Sequence, residues 1–176
     1  MAAHRLLLWR HAKSSWNNAH LADHDRPLAP RGRRAAAAMA DHLAAVDPPP
    51  ALVLCSTALR ARDTLEPLRD RLPGTTDVRL EGELYGAPAA ALLARLRRVG
   101  ETVGTALVVG HNPGLEDLAR LLAGDGDPAL LGRLRAKFPT GALATVSWSG
   151  PWADLGSRPA ALDAYVVPAD LIPVAE

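Results

Sequence analysis

Short apolar runs of β character alternate along this chain with longer stretches of helical spacing, the order that a mostly parallel sheet covered by helices requires. The strand candidates are Arg5 to Trp9, Ala51 to Leu54, Asp77 to Leu80, Thr105 to Val109, Ala142 to Trp148 and Ala164 to Val167. Helical patterns occupy Arg31 to Ala45, Ala58 to Leu72, Pro88 to Val99 and Leu115 to Ala123, with Leu92, Leu93 and Leu96 spaced as core-facing residues. Pro30 suits the first turn of the first helix, and Pro48, Pro49 and Pro50 end the segment that follows it. At 176 residues the chain is long enough for one domain with a substantial core and hardly for two. The expectation is an α/β protein, a single three-layer α/β/α domain over residues 1–176 with a mostly parallel sheet. Gly150 to Pro159, rich in Gly and Pro, reads as a long surface turn between the last two strands.

The formal net charge of +1 argues against a surface that coats a polyanion, and no block of like charge forms a nucleic-acid tail. Leu6 to Leu8 is too short for the apolar region of a signal peptide, and charges interrupt every longer apolar stretch before it could cross a bilayer. A soluble, cytoplasmic protein with neither nucleic-acid nor membrane partners is expected. Cys55 is the only cysteine, so an internal disulfide is impossible; the thiol reads as a small buried apolar group.

Three candidate strands end in polar residues of related chemistry. The run Leu6 to Trp9 stops at Arg10-His11, which brings a guanidinium and an imidazole to the carboxyl end of a sheet, where open α/β folds place ligands. After Leu54 comes Ser56 to Thr64; Ser56 as a helix cap would put Arg60 in the first turn and Thr64 on the same face. After Val109 comes Gly110-His111-Asn112-Pro113-Gly114, with a helix starting just beyond the histidine so that its amide groups face an anion held nearby. If the three ends converge, two guanidinium groups offset the roughly −1.5 to −2 charge of a phosphoryl group. Each can grip two oxygens at once. A neutral imidazole among these cations keeps a lone pair free to attack phosphorus.

Leu-Leu-Trp-Arg-His-Ala-Lys-Ser at residues 7–14 resembles the opening motif of the histidine phosphatase superfamily, in the branch of the SixA-type phosphohistidine phosphatases. Further blocks follow in the family's order: Asp25-Arg26-Pro27-Leu28, Arg31 to Ala35, Ser56 to Thr64, Leu84-Tyr85, Val109 to Gly114 and Lys137 to Gly141. The resemblance implies the phosphoglycerate mutase-like fold, no cofactor and no metal. It makes His11 the nucleophile, with Arg10, Arg60 and His111 holding the phosphoryl oxygens. Asn17 matches a polar position at the pocket rim, Asn112 joins the phosphate-binding set, and Glu83 lies where related enzymes carry the carboxyl that protonates the leaving group. Glu81 stands nearby as a competitor, and a phosphohistidine substrate needs less help from an acid, because an imidazole leaves more readily than an alkoxide. Ala29 departs from relatives that carry Thr or Ser before the first helix, which forfeits a side-chain cap of about 1 kcal/mol.

Plainer readings exist for each residue. Arg60 could form a surface ion pair with Asp63 or Glu66, His111 could be a satisfied histidine at a helix start, and Glu83 a solvated loop carboxylate. His20, Asp23, His24 and Asp25 could supply metal ligands, but Pro27 and the irregular pattern favour a loop at the pocket mouth, where Arg26 and Arg31 could meet an acidic partner. The expected activity is metal-independent hydrolysis through phosphohistidine on His11. With little chain between motifs for a lid, the mouth suits a phosphohistidine presented by another protein. A small sugar or nucleotide phosphate is the alternative substrate, and a phosphoprotein-docking module without turnover the alternative of a different class.

Overall fold

A computed structural model describes residues 3–173 of the chain. Seven strands, β1 (Ala3–Arg10), β2 (Leu52–Ser56), β3 (Asp77–Glu81), β4 (Thr105–Gly110), β5 (Ala123–Gly126), β6 (Leu143–Ser149) and β7 (Ala160–Val166), make one sheet in the order β3-β2-β4-β1-β6-β7-β5. The helices are α1 (Pro30–Ala44), α2 (Leu59–Arg69), α3 (Ala89–Leu96), α4 (Gly114–Leu122), α5 (Pro128–Ala136) and α6 (Pro168–Leu171). Only β6 runs against its neighbours β1 and β7; the other pairings are parallel, so the mostly parallel α/β sheet read from the sequence is the one observed.

Alternation along the central strands sorts the core into two layers, as a sheet buried on both faces requires. Leu6, Leu8, Leu52, Leu54, Ala106 and Val108 point to the side covered by α3, α4 and α5, while Leu7, Trp9, Val53, Cys55, Leu107 and Val109 point to the side covered by α1 and α2. Burial raises the Cys55 thiol to about 12, which keeps it neutral and fits the small apolar role expected of it. On α1 the buried Gly32, Ala35, Ala36, Met39, Ala40 and Leu43 follow helical spacing, and the small residues let the helix lie close to the sheet.

Several boundaries differ from the sequence reading. β7 starts at Ala160 rather than Ala164, and β5, α5 and α6 are additional. Ala160-Ala161-Leu162-Asp163 lacks the β-branched residues that mark a strand, yet pairing with β6 and β5 makes it one. For α5 a signal was present: the Asp127 side chain accepts from the Ala129 amide, and Pro128 occupies the first turn. The turn from Gly150 to Pro159 is only partly a surface feature, since Trp152 and Leu155 are buried and the Trp152 indole donates to the Val103 carbonyl.

The start of α1 clamps the segment that leaves β1. The Ala29 amide donates to the Lys13 carbonyl at 2.9 Å, and a Cβ on Gly32 would stand 2.0 Å from that same oxygen. Position 32 therefore has to be glycine for the segment beyond His11 to pass beneath the helix. Ala29 occupies the N-cap with extended backbone and no side-chain cap, as expected from its sequence. Ala29→Asp should raise the unfolding free energy by about 1 kcal/mol, measured by urea denaturation. Gly32→Ala should lower it by about 1–3 kcal/mol in the same measurement.

Candidate active site

Neighbouring parallel strands β2, β4 and β1 end at nearly the same level, because Gly110 pairs with Arg10 and Val109 with both Trp9 and Cys55. Their three terminal segments are therefore brought together, with the β4 segment in the middle. His11 stays tied to the sheet beyond β1: its amide donates to the Gly110 carbonyl at 3.0 Å, and its carbonyl accepts from Gly141. Thr64 fixes the next residue, accepting from the Ala12 amide at 2.9 Å while donating to the Arg60 carbonyl at 2.7 Å. One hydroxyl thus locks the histidine loop to the first turns of α2.

The imidazoles of His11 and His111 lie with ring centres 5.2 Å apart, both 7% exposed. The His11 Nδ1 is 2.7 Å from the Ala12 carbonyl, so the hydrogen resides on Nδ1 and the lone pair on Nε2. Burial is the main cause that pushes His11 down to about 3; the Ala12 carbonyl opposes it, and His111, Arg60 and Arg10 push it lower. His111 is held at about 4, again chiefly by burial and then by Arg60. Its Nε2 lies 2.7 Å from the Ser56 hydroxyl, and its Nδ1 is buried with no partner among the described residues. Both rings are neutral at pH 7.

Arg10 and Arg60 flank the two rings. Arg10 donates through Nη1 to the Phe138 carbonyl at 3.1 Å, and burial lowers its ordinary value. Arg60 donates to the Asp23 carbonyl at 2.7 Å and to its carboxylate at 3.0 Å. The Nε hydrogens of both arginines are buried and lack partners among the described residues. Two uncommitted, buried Nε donors, one on the half-buried Arg10 and one on the buried Arg60, form with two neutral imidazoles a cage suited to a tetrahedral anion.

Sequence reasoning found the four corners of this cage and misjudged some of their supports. Ser56 is not the helix cap; Ala58 takes that position, and the Ser56 hydroxyl accepts the Ala58 amide while holding His111. Arg60 pairs with Asp23 rather than with Asp63 or Glu66. Asn112 uses its amide hydrogens on Phe138 and Glu116, so it braces the same carbonyl that Arg10 grips rather than offering a donor to phosphate. Asn17 is exposed on the loop after β1. Glu83 is exposed in a cleft with Arg79, Arg95 and Arg98, while Glu81 is held by Arg95 and kept below the usual carboxylate range by it.

The loop from His20 to Asp25, whose residue types also suit metal ligands, supports the arginines. Asp23 accepts from Arg60, Arg26 and the Tyr85 hydroxyl, and the Tyr85 bond leads the causes that hold its carboxyl far below the usual range. His24 lies 2.9 Å from the Thr57 hydroxyl. Arg26, expected at the mouth as a cation for a partner, is 6% exposed, bonded to Ser14 and stacked 3.5 Å from the Trp16 ring. Tyr85, whose sequence context assigns it no role, borders the site: its ring meets His111 edge-on at 5.5 Å and lies under Arg60 at 5.8 Å. Only the contact between distant segments exposes that function.

A family model described as the histidine phosphatase superfamily (branch 1) matches residues 6–87. An uncharacterised protein of Mycobacterium tuberculosis is 44% identical over 161 residues, which cover 90% of this chain and 99% of the relative. Among solved structures, a protein described as the phosphohistidine phosphatase SixA of Nakamurella multipartitia is 35% identical, with a TM-score of 0.82 over 96% of this chain and 98% of its own. A tungstate complex of the protein histidine phosphatase SixA is 26% identical, with a TM-score of 0.74 over 96% and 99%. No helix among the described residues is long and apolar enough to cross a membrane.

The buried imidazoles make stability depend on pH. Unfolded, each histidine binds a proton near pH 6.5; folded, His11 does so only near 3 and His111 near 4. The unfolded state therefore holds more protons between these values, and stability falls as pH drops through that window. At pH 5 each ring should cost about 2 kcal/mol relative to pH 8. In urea denaturation at the two pH values, His11→Asn should lose about 2 kcal/mol less than the wild type; equal losses would contradict the neutral, buried ring.

Proposed function

Because the chain belongs to the histidine phosphatase superfamily, we propose that it transfers a phosphoryl group to His11 and then to water, and that its substrate is a phosphohistidine on another protein. The observation that carries the reading is the cage itself: a neutral His11 with its lone pair on Nε2, next to the buried Nε donors of Arg10 and Arg60, which have no partner among the described residues. In the first step Nε2 attacks phosphorus in line, the P–N bond to the enzyme forms, and the bond to the leaving group breaks. That leaving nitrogen takes a proton as it departs. In the second step water attacks phosphorus, loses its proton, and releases orthophosphate and free His11.

Arg10 and Arg60 hold the non-bridging oxygens, and the charge they oppose is greatest in the transition state, where fixed donors count most. His111, held by Ser56, polarises the same group, and Asn112 fixes Arg10 through the shared Phe138 carbonyl. Metal has no part in this scheme. The phosphohistidine substrate is supported by the likeness to a protein described as a protein histidine phosphatase and to another described as a candidate phosphohistidine phosphatase. It also fits a structure in which the two carboxyls weighed as the acid, Glu83 and Glu81, line a cleft with three arginines. An imidazole leaving group makes little demand on such an acid.

Acid-labile, alkali-stable label on His11 after rapid quench from a radiolabelled phosphodonor is the expected result, and turnover should persist in a chelator. His11→Ala should abolish turnover, and Arg60→Ala should reduce kcat by about 10²–10³-fold. Rates should be higher on a phosphorylated histidine domain than on a panel of small phosphate monoesters; the opposite ranking would replace the proposed substrate with a small metabolite. Saturable binding without covalent label would make the protein a docking module. Glu83→Gln should leave phosphohistidine hydrolysis nearly unchanged while slowing any hydrolysis of alkyl monoesters.

A further inference from the structure

Beside the cage, on the α1 and α6 side of the sheet, lies a separate concavity of about 430 Å3. Lys13, Arg31 and Arg34 stand around it, and Pro139, Val167 and Ile172 supply apolar surface. Among the described residues no carboxylate lines it. The acid carried by α6, Asp170, is committed to Arg133 and to the Val167 amide. Many arginines in this chain are matched to a carboxylate: Arg60 to Asp23, Arg71 to Asp41, Arg79 to Asp77, Arg95 to Glu81 and Arg120 to Glu116. The three cations of the concavity are exposed and make neither an ion pair nor a side-chain hydrogen bond among the described residues. Like charges gathered without counter-charge repel one another, so such a cluster is stabilised by an anionic visitor.

Location gives the cluster its meaning. Lys13 follows His11 by two residues, which keeps their Cα atoms within about 7 Å. Pro139 follows Phe138, whose carbonyl is gripped by Arg10 and Asn112. The concavity thus adjoins the phosphoryl cage through both segments that build its edge. Three cations on a partly apolar surface match a short peptide with several carboxylates and one aliphatic anchor. A polynucleotide or an anionic bilayer would call for a longer or broader basic track, and the chain carries a net charge of only +1.

We propose that this concavity docks an acidic segment of the phosphorylated partner protein, with an aliphatic side chain against Val167 and Ile172 and carboxylates on Lys13, Arg31 and Arg34. The partner's identity as the phosphoprotein rests on the function proposed above; the affinity for an acidic segment does not. The probe is an N-acetylated peptide with four acidic residues flanking one leucine, titrated calorimetrically into the full chain. Binding is expected for the wild type, weaker by roughly tenfold in the R31E/R34E double variant and lost near 0.5 M salt. R31Q/R34Q, which removes charge without reversing it, serves if the first variant does not fold, and should weaken binding in the same direction.

With a phosphorylated histidine domain as substrate, R31E/R34E should raise KM by roughly tenfold with kcat unchanged, and its hydrolysis of p-nitrophenyl phosphate should match the wild type. Absence of peptide binding, equal binding by wild type and variants, or tighter binding to anionic vesicles or to an oligonucleotide would overturn the docking surface. Such results would leave hydrolysis at His11 intact. Peptide binding lost in the variants, in a protein that fails to hydrolyse phosphohistidine, would instead retain the surface and overturn the proposed substrate.

Discussion

The parallel register of β4 against β1 on one side and β2 on the other is the constraint from which the candidate site follows. Gly110 stands opposite Arg10, and Val109 opposite Trp9 and Cys55, so three polar segments emerge side by side from a buried apolar sheet. A one-residue slip of any of these strands would exchange its faces and turn the arginine and imidazole groups away from one another. The Leu7, Val53 and Leu107 layer, buried against α1 and α2, opposes that slip.

Once the strand ends meet, electrostatics decides what they can hold. The rings are neutral first because burial penalises their charged form, and then because the neighbouring guanidinium groups oppose a further positive charge. Asp23 relieves part of this, but it serves Arg26 and Arg60 together. Glu116, the carboxylate felt by Arg10, is itself paired with Arg120. A dianion supplies what the protein withholds. The neutral form that burial imposes on His11 is also the nucleophilic form, so the groups that attract phosphate prepare the atom proposed to attack it.

The supports of the site are fixed by side chains from far along the chain. Thr64 joins Ala12 to Arg60, Asn112 and Arg10 share the Phe138 carbonyl, and Tyr85 joins Asp23 beside His111. Each connection holds a proposed catalytic or phosphate-gripping group in one orientation, which matters because a site that relies on fixed dipoles gains little from mobile ones.

Much of this was written in the residues. Short continuous apolar runs marked the central strands, Pro30 the start of α1, and the polar breaks at Arg10-His11, Ser56 to Arg60 and His111 the corners of the cage, since burial of both sheet faces forces polar groups to the strand ends. The weaker elements escaped it: β7 at Ala160 becomes a strand through pairing with β6 rather than through propensity, and α5 had a readable Asp-Pro cap that only its packing made significant. Partner choice escaped it as well. Arg26 and Arg60 converge on Asp23, Ser56 serves His111 instead of capping α2, and Arg31 joins Lys13 and Arg34 around a second concavity. Local pattern determines which residues are polar and where a strand stops, because those depend on near neighbours; which donor meets which acceptor across tens of residues is settled by the closure of the fold.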